Sequence, residues 1–427
     1  MKTNILIFPA GEINSVELLD SLSYNVNLKV FGASSIDRHG PYVFENYYGN
    51  LPKIDDDNFI KSFNEVITKW SISYIFPTHD TVALFLAKNR NSIKAEVIVS
   101  DYETALICRD KKKTYEFFKN DDFCPIIYDD LKTFPVYVKP RDSQGGKGNI
   151  LLKRKEDIPS SFSFDNKIIV EYLPGDELTV DCLTDKNGKL RACLPRTRDR
   201  TMAGVCVSGK SIKATKEIEE IANIINNRIK LFGIWFFQLK KDINGKYKLL
   251  EISTRCPGTL CLSRARGINL PLLSVYSAMG KEIEVSENSY NVVMDRTLIT
   301  RYKIDYEFDK VYVDYDDTVI TNGMVCIPVI SFLYQCQNKG KSIILLTRHD
   351  EDHDDTIEDN IKKYNISPKL FNKIIKLSFN KKKCEYIDKE KSIFIDNSFS
   401  ERNEVRKKHN IPVFDVEGIE VLFDWRK

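Results

Sequence analysis

A chain of 427 residues is too long for one ordinary hydrophobic core and suits two or three domains; 42% hydrophobic and 29% charged residues exclude a disordered chain. The 64 basic and 61 acidic residues leave a net charge of +3, which argues against a nucleic-acid partner, since that needs a strongly basic face. Ten scattered cysteines without a CxxC pair, a short N-terminal apolar run and no stretch of roughly 20 apolar residues argue against zinc, disulfides, a secretory signal and a membrane span, so a reduced, cytoplasmic protein is expected.

In chain order, NILIFP (4–9), LKVFGAS (28–34), YIFPTHD (74–80) and AEVIVSD (95–101) read as strands. Helical segments lie between them, at NSVELLDSL (14–22) and at DDDNFIKSFNEVITKW (55–70), which opens with acids as a helix N-terminus should. This alternation predicts a parallel, doubly wound sheet. No GxGxxG follows the first strand, so dinucleotide binding is only weakly indicated.

From about residue 105 the pattern changes to α+β. DYETALICRDKKKTYEFFKN (101–120) is expected as a helix. FPVYVKP (134–140), KIIVEYLPGDELTVDCL (167–183) and WFFQLKKDINGKYKLLEISTR (235–255) are expected as strands, with hairpin turns at DKNGK (185–189) and DINGK (242–246). Residues 285–308 lack periodicity and read as a join; from 309 the order is strand, helix, strand, helix, strand.

Lys139 ends a hydrophobic strand and precedes DSQGGKGN (142–149). Gly145, Gly146 and Gly148 let backbone N–H groups approach phosphate oxygens, and Lys139 or Lys147 can neutralise the charge. A glycine-rich hairpin would look the same, and the loop does not match the P-loop pattern. Glu171 and Glu177 follow on the next strands. Gln238 and Glu251, on strands joined by a hairpin, can point two oxygens at one cation such as magnesium.

These motifs, in this order over roughly residues 1–300, resemble the ATP-grasp superfamily, on the side of its carbamoyl-phosphate-synthase-like carboxylate ligases. The resemblance implies a Rossmann-like pre-ATP-grasp domain over 1–105 and an ATP-grasp domain over 106–300. It implies ATP and Mg²⁺, with Mn²⁺ as an alternative. Lys139 would contact the α/β-phosphates, Lys111 would add a second basic contact, and the loop 143–149 would close over them. Backbone groups around Glu171 and Leu173 would hold adenine, and Glu177 the ribose hydroxyls. Gln238 and Glu251 would bind magnesium, and Arg255 would meet the transferred phosphate or the substrate carboxylate. The family pattern E-x-N-x-R departs here to EISTR, which puts Ser253 in a metal-ligand place. The implied reaction converts a small carboxylate to an acyl phosphate for attack by an amine. Phosphotransfer to a hydroxyl, or a binding protein with one degenerate domain, are the alternatives. Arg196 and Arg264 are candidates for carboxylate recognition because the guanidinium fork matches that geometry; ordinary surface arginines are the bland reading.

VYVDYDDTVI (311–320) puts Asp314 at the end of a hydrophobic strand, with Asp316 two residues on. SIILLTRHD (342–350) ends in Thr347, and SIFIDNSFSER (392–402) ends its strand in Asp396. Three such strands would gather these groups at one edge of a parallel sheet. The ordered set, with Lys383 chosen from Lys381, Lys382 and Lys383, resembles the haloacid dehalogenase (HAD)-type phosphatases over 309–427. By that resemblance the domain is a Rossmannoid fold, Asp314 is the nucleophile, Asp316 the general acid/base, Thr347 binds the phosphoryl group, and Lys383 balances charge. Asp396 holds magnesium with Asp314, and Asp316 stands beside them in the metal set; Asn397 replaces the second acid that many members carry. The short spacings leave no room for a sizeable cap domain, so the site is expected to be capless and open to a phosphorylated metabolite. His349 and His353 in HDEDHDD have helical metal-pair spacing, but the flanking acids favour a solvated segment. A homodimer is left open.

Overall fold

The structure is a computed structural model that describes residues 2–143, 145–160, 162–348 and 356–427. The HDEDHDD histidines lie outside the described residues. Two compact units are formed, one by Met1–Leu298 with Arg426–Lys427 and one by Ile299–Trp425. Among the described residues no helix is long and apolar enough to cross a membrane, and the ten cysteines carry free thiols.

In the first unit, β1 (Thr3–Phe8), β2 (Leu28–Ala33), β3 (Tyr47–Tyr48), β4 (Tyr74–Pro77) and β5 (Glu96–Val97) form a parallel sheet in the order β3-β2-β1-β4-β5. Ile5, Leu6 and Ile7 are buried on both sides, as a central parallel strand requires. Its neighbours are set in register as Ile5↔Val30 and Ile5↔Tyr74. The C-terminal ends of β1 and β4 therefore bring residues 12–14 and 78–80 to one edge. The expected strand over 95–101 contracts to Glu96–Val97. The helix expected over 55–70 begins only at Phe59, because the Asp56 carboxylate accepts from the Asn58 amide (2.8 Å) and holds a turn instead.

The helix expected over 101–120 is two helices, Tyr102–Arg109 and Lys111–Phe117. Asp110 between them is extended. Its side chain caps the second helix at the amides of Lys112 and Lys113 and pairs with Arg141, whose Nε lies 3.1 Å away. The break places Lys111 at the first position of a new helix and turns it inward. Asp110→Ala is expected to cost about 1–2 kcal/mol of stability in urea unfolding, from the lost cap and ion pair.

The rest of this unit is mostly antiparallel. Its strands are β6 (Ile127–Tyr128), β7 (Val136–Pro140), β8 (Ile150–Leu152), β9 (Lys167–Glu171), β10 (Glu177–Thr184), β11 (Leu190–Thr197), β12 (Arg200–Met202), β13 (Val205–Lys210), β14 (Gly233–Lys241), β15 (Tyr247–Ser253) and β16 (Val293–Asp295). They form sheets in the orders β6-β9-β7-β8, β11-β10-β14-β15 and β12-β13-β16. The two expected hairpin turns are present, with Gly188 (φ +79°) and Gly245 (φ +78°) supplying the left-handed residue. One face of the β10–β14–β15 sheet buries Val180, Trp235, Phe237 and Ile252 against the helix Lys216–Arg228. Alternation sends Thr179, Gln238 and Glu251 to the other face.

The second unit contains β17 (Lys310–Val313), β18 (Ile320–Thr321), β19 (Met324–Val325), β20 (Ser342–Thr347), β21 (Lys373–Lys376), β22 (Ser392–Ile395) and β23 (Val413–Phe414). β18 and β19 make a small hairpin; the other five form a parallel sheet in the order β21-β20-β17-β22-β23. Helices Ile327–Asn338, Ile357–Lys363 and Phe399–His409 connect them. The sequence pattern missed the hairpin and both edge strands, which are short; β21 reads KIIK, with lysines flanking two apolar residues.

Candidate functional site

A cavity of about 640 Å³ in the first unit is lined by Lys111, Lys139, Gly145, Gly146, Glu171, Leu173, Glu177, Arg196, Gln238, Glu251 and Arg255. Four strands build its floor. Arg196, Thr179, Gln238 and Glu251 are consecutive register partners across β11, β10, β14 and β15, so they form one polar row. Gln238 and Glu251 thus face the cavity side by side. Two oxygen donors suit magnesium, and nucleotide phosphates complete such a site. Among the described residues no cluster of three or more His, Cys, Asp or Glu is placed to hold a metal ion.

Lys139, at the end of β7, is 5% exposed. Its ammonium has the Tyr115 hydroxyl at 3.5 Å and the Tyr137 ring at 5.7 Å, and among the described residues no carboxylate lies within ion-pair distance. Burial, and then the Lys111 charge, push its pKa down to about 8. Lys111 donates to the Ser143 carbonyl at 2.8 Å and lies 3.8 Å from Glu251, so it ties the glycine loop to the floor. Lys147 is exposed and does not line the cavity; Lys111 supplies the second cation instead.

Glu171 and Leu173 lie at the end of the cavity where β9 passes into β10. The Glu171 carboxylate accepts from the Ile126 amide at 2.9 Å. Glu177 is paired with Arg198, whose Nε is 2.6 Å away and whose Nη2 donates to the Gly204 carbonyl at 3.2 Å. The loop holding Gly204 packs against the glycine loop: a Cβ on Gly204 would sit 2.3 Å from the Gly145 Cα, so position 204 leaves no room for a side chain. Arg198 was not singled out in the sequence; the fold places it beside Glu177.

Arg196 is buried and bidentate to Asp181, at 2.7 and 3.2 Å, with Nη1 making no hydrogen bond among the described residues. Arg264 does not line the cavity. It is paired with Glu17 at 2.8 Å and donates to Ser21, which makes it an internal anchor rather than a substrate contact. Ser253 does not line the cavity, and its hydroxyl donates to Asp80 at 2.5 Å. Arg255 Nε donates to the other Asp80 oxygen at 3.0 Å. Burial alone would raise the Asp80 carboxyl, but the Arg255 charge and the Ser253 hydrogen bond hold it below the usual carboxylate range. Asp80 and His79, from YIFPTHD, were not singled out in the sequence; His79 lines the cavity, and burial pushes its pKa down.

In the second unit the C-terminal ends of β17, β20 and β22 carry Asp314, Thr347 and Asp396. Lys383, on a 3₁₀ turn, places Nζ 2.6 Å from Asp314 Oδ1 and 2.7 Å from Asp396 Oδ2. Lys382 instead pairs with Glu404, and the Lys381 carbonyl accepts from Arg348. The Thr347 hydroxyl is fully buried and makes no hydrogen bond among the described residues. Thr318, 3.5 Å from Asp314 Oδ2, donates toward Asn397 and accepts from its amide at 3.1 Å. Asp316 is exposed. Burial pushes Asp314 up to about 6 against the pull of Lys383, with Asp396 adding to the rise; Asp396 is raised for the same first reason. Two carboxylates share one ammonium, so the cluster carries an excess negative charge that suits a divalent cation.

Residues 163–299 match a family described as ATP-grasp in the biosynthetic pathway with Ter operon. A formate-dependent phosphoribosylglycinamide formyltransferase from Prochlorococcus marinus (strain NATL2A) is 29% identical over 121 residues, covering 24% of this chain and 31% of that protein. The match thus spans about a third of that relative's length. An N5-carboxyaminoimidazole synthetase from Staphylococcus aureus, complexed with ADP, superposes with a TM-score of 0.58 at 18% identity, over 70% of this chain and 83% of that one. A biotin carboxylase from Campylobacter jejuni in a β,γ-ATP complex gives 0.55 at 15%, over 69% and 75%. These likenesses show an ATP-grasp fold within a mixed α/β, multidomain chain.

Proposed function

We propose that residues 1–300 form an ADP-forming ligase, with a Rossmann-like pre-ATP-grasp domain over 1–105 and the ATP-grasp domain over 106–300, which activates a small carboxylate as an acyl phosphate for attack by an amine. One cavity that gathers Lys111, Lys139, Glu177, Gln238, Glu251 and Arg255 carries this reading. Lys139 and Lys111 offset the triphosphate charge, and the glycine loop supplies backbone donors. Gln238 and Glu251 would hold magnesium, which when bound screens the phosphates and orients the terminal group. Arg255, and Arg196 through Nη1, face the reacting end. Fixing the carboxylate in line with the terminal phosphoryl group supplies most of the acceleration.

Residues 309–427 we assign to a capless HAD-like Rossmannoid phosphatase. The Asp314–Lys383–Asp396 arrangement beside Thr347 supports it. Asp314 attacks the phosphate to form an aspartyl phosphate, Lys383 and the Thr347 hydroxyl steady the phosphoryl oxygens, and Asp316 protonates the leaving alkoxide. Asp314 and Asp396 would hold a divalent cation, which when bound offsets the repulsion between carboxylate and phosphate dianion.

The test screens carboxylate and amine pairs with Mg·ATP, scoring ADP release and product mass in wild type and in Asp314→Asn. Pair-dependent ADP release with a condensed product is expected, and a phosphorylated product should accumulate in Asp314→Asn if both domains serve one metabolite. ADP release that no pair stimulates counts against the ligase.

A further inference from the structure

We propose that Asp80 is a positioning residue that aims Arg255 at the terminal phosphoryl group of the bound nucleotide, with Ser253 as the second arm of the same clamp. The inference rests on the ATP-site reading above and adds to it the first residue of the helix Asp80–Lys88, which follows β4.

The geometry is a carboxylate shared between two alternate positions of one chain segment. Asp80 Oδ1 accepts from Ser253 Oγ at 2.5 Å, and Oδ2 accepts from Arg255 Nε at 3.0 Å. Arg255 Nη1 donates to the Cys256 carbonyl at 3.0 Å, and the guanidinium lies 5.1 Å from the Phe236 ring centre. A long side chain that samples many rotamers is thereby held at its Nε, its terminal nitrogen and its flat face. Each of these contacts lowers the entropy that a ligand would otherwise have to remove.

The placement along the floor says which part of the nucleotide this arginine meets. On β14, Lys240 is in register with Glu177, Gln238 with Glu251, and Phe236 with Ser253. These three positions follow one another in two-residue steps of about 6.8 Å on one face of the strand. The order runs from the nucleoside-side carboxylate, through the magnesium pair, to Arg255 over Phe236. Arg255 therefore stands past the metal pair, where a triphosphate chain ends. Ser253 lies between Glu251 and Arg255 in the same alternation, yet its hydroxyl hydrogen is committed to Asp80. Its role is to hold the carboxylate square to the arginine.

The test is equilibrium binding of Mg·ATP and of Mg·ADP by titration calorimetry to the full chain. The proteins are wild type, Asp80→Asn, Ser253→Ala, Arg255→Met and the Asp80→Asn/Arg255→Met double variant, with thermal unfolding as the control for folding. Asp80→Asn is nearly isosteric but offers its second donor an amide N–H instead of a lone pair. Its Mg·ATP affinity should fall about tenfold, the worth of one charge-assisted hydrogen bond, while Mg·ADP binding stays near that of wild type. Ser253→Ala should shift the same ratio in the same direction by less. The double variant should match Arg255→Met, because Asp80 acts through that arginine. Equal losses for both nucleotides, unchanged ATP preference in Asp80→Asn and Ser253→Ala, or additive effects in the double variant would overturn the clamp. Wild type that binds no Mg·ATP would overturn the ATP-site reading itself, and the clamp with it.

Discussion

Asp314→Asn is expected to lower hydrolysis of an aryl phosphate such as p-nitrophenyl phosphate by about 10⁴-fold or more, the usual scale for losing a covalent nucleophile. The same variant should unfold at a higher temperature than wild type in metal-free buffer at pH 7–8. Asp314 is buried beside Asp396, with Lys383 as their shared cation. Asparagine keeps the shape and leaves one carboxylate for one ammonium. The sign follows from the raised carboxyl, which stands at about 6 in the fold against 3.8 unfolded. The folded state holds this proton more tightly, so the contribution to stability is full below about pH 4 and is lost as pH rises through 6. At neutral pH the wild type therefore bears the cost of a buried, crowded charge that the variant lacks. Activity runs the other way: Asp314 must be ionised to attack, so metal-limited turnover should rise with pH through that range. Loss of activity with a gain in melting temperature separates a nucleophile from a structural aspartate. Unchanged hydrolysis would remove Asp314 from the mechanism.

Lys139→Met should weaken Mg·ATP binding by about 100-fold, about 2.7 kcal/mol, measured by titration calorimetry. Lys139 is 5% exposed, and a tyrosine hydroxyl at 3.5 Å is its ammonium's hydrogen-bond partner. A buried cation so poorly compensated is stabilised chiefly by the anion it binds. Its pKa of about 8, lowered first by burial and then by Lys111, sets a pH window. The charge is present below 8 and lost above it, so wild-type affinity should fall as pH rises from 7 to 9 while the methionine variant stays flat. A base whose folded pKa lies below its unfolded value costs stability while charged. Lys139→Met should therefore be more stable than wild type at pH 7, with the difference shrinking as pH rises past 8. Equal Mg·ATP affinity in the two proteins would remove Lys139 from the nucleotide site.

Much of this protein follows from local pattern. The alternation of β-branched runs with amphipathic helices determined the parallel N-terminal sheet, and DKNGK and DINGK determined two hairpins, because turn chemistry and period act over a few residues. Gln238 and Glu251 lie on strands joined by the DINGK hairpin, but the register of Leu239↔Leu249 continued by one would set Gln238 against Leu250; a bulge between Gln238 and Leu239 brings Glu251 opposite it instead. Asp314, Thr347 and Asp396 each end a hydrophobic run, and a parallel sheet collects such ends at one edge.

Contacts distant in sequence decided the rest. Within 101–120 Asp110 can serve as a helix N-cap, but that signal competes with a continuous helical pattern; the ion pair to Arg141, about thirty positions on, adds to the cap in favouring the break that turns Lys111 into the cavity. Three adjacent lysines at 381–383 are alike as sequence, and only the position of the turn after β21 sends the third between two buried aspartates. Arg264 and Arg196 read alike as well, until Glu17 claims one as an anchor and Asp181 clamps the other beside the cavity. Ser253 looked like a weak metal ligand because its partner, Asp80, comes from the far end of the unit's sequence. Propensity and period determine which segments form and which face is apolar. Which polar group meets which is settled by burial, where each buried donor must find an acceptor from whatever segment the packing brings near.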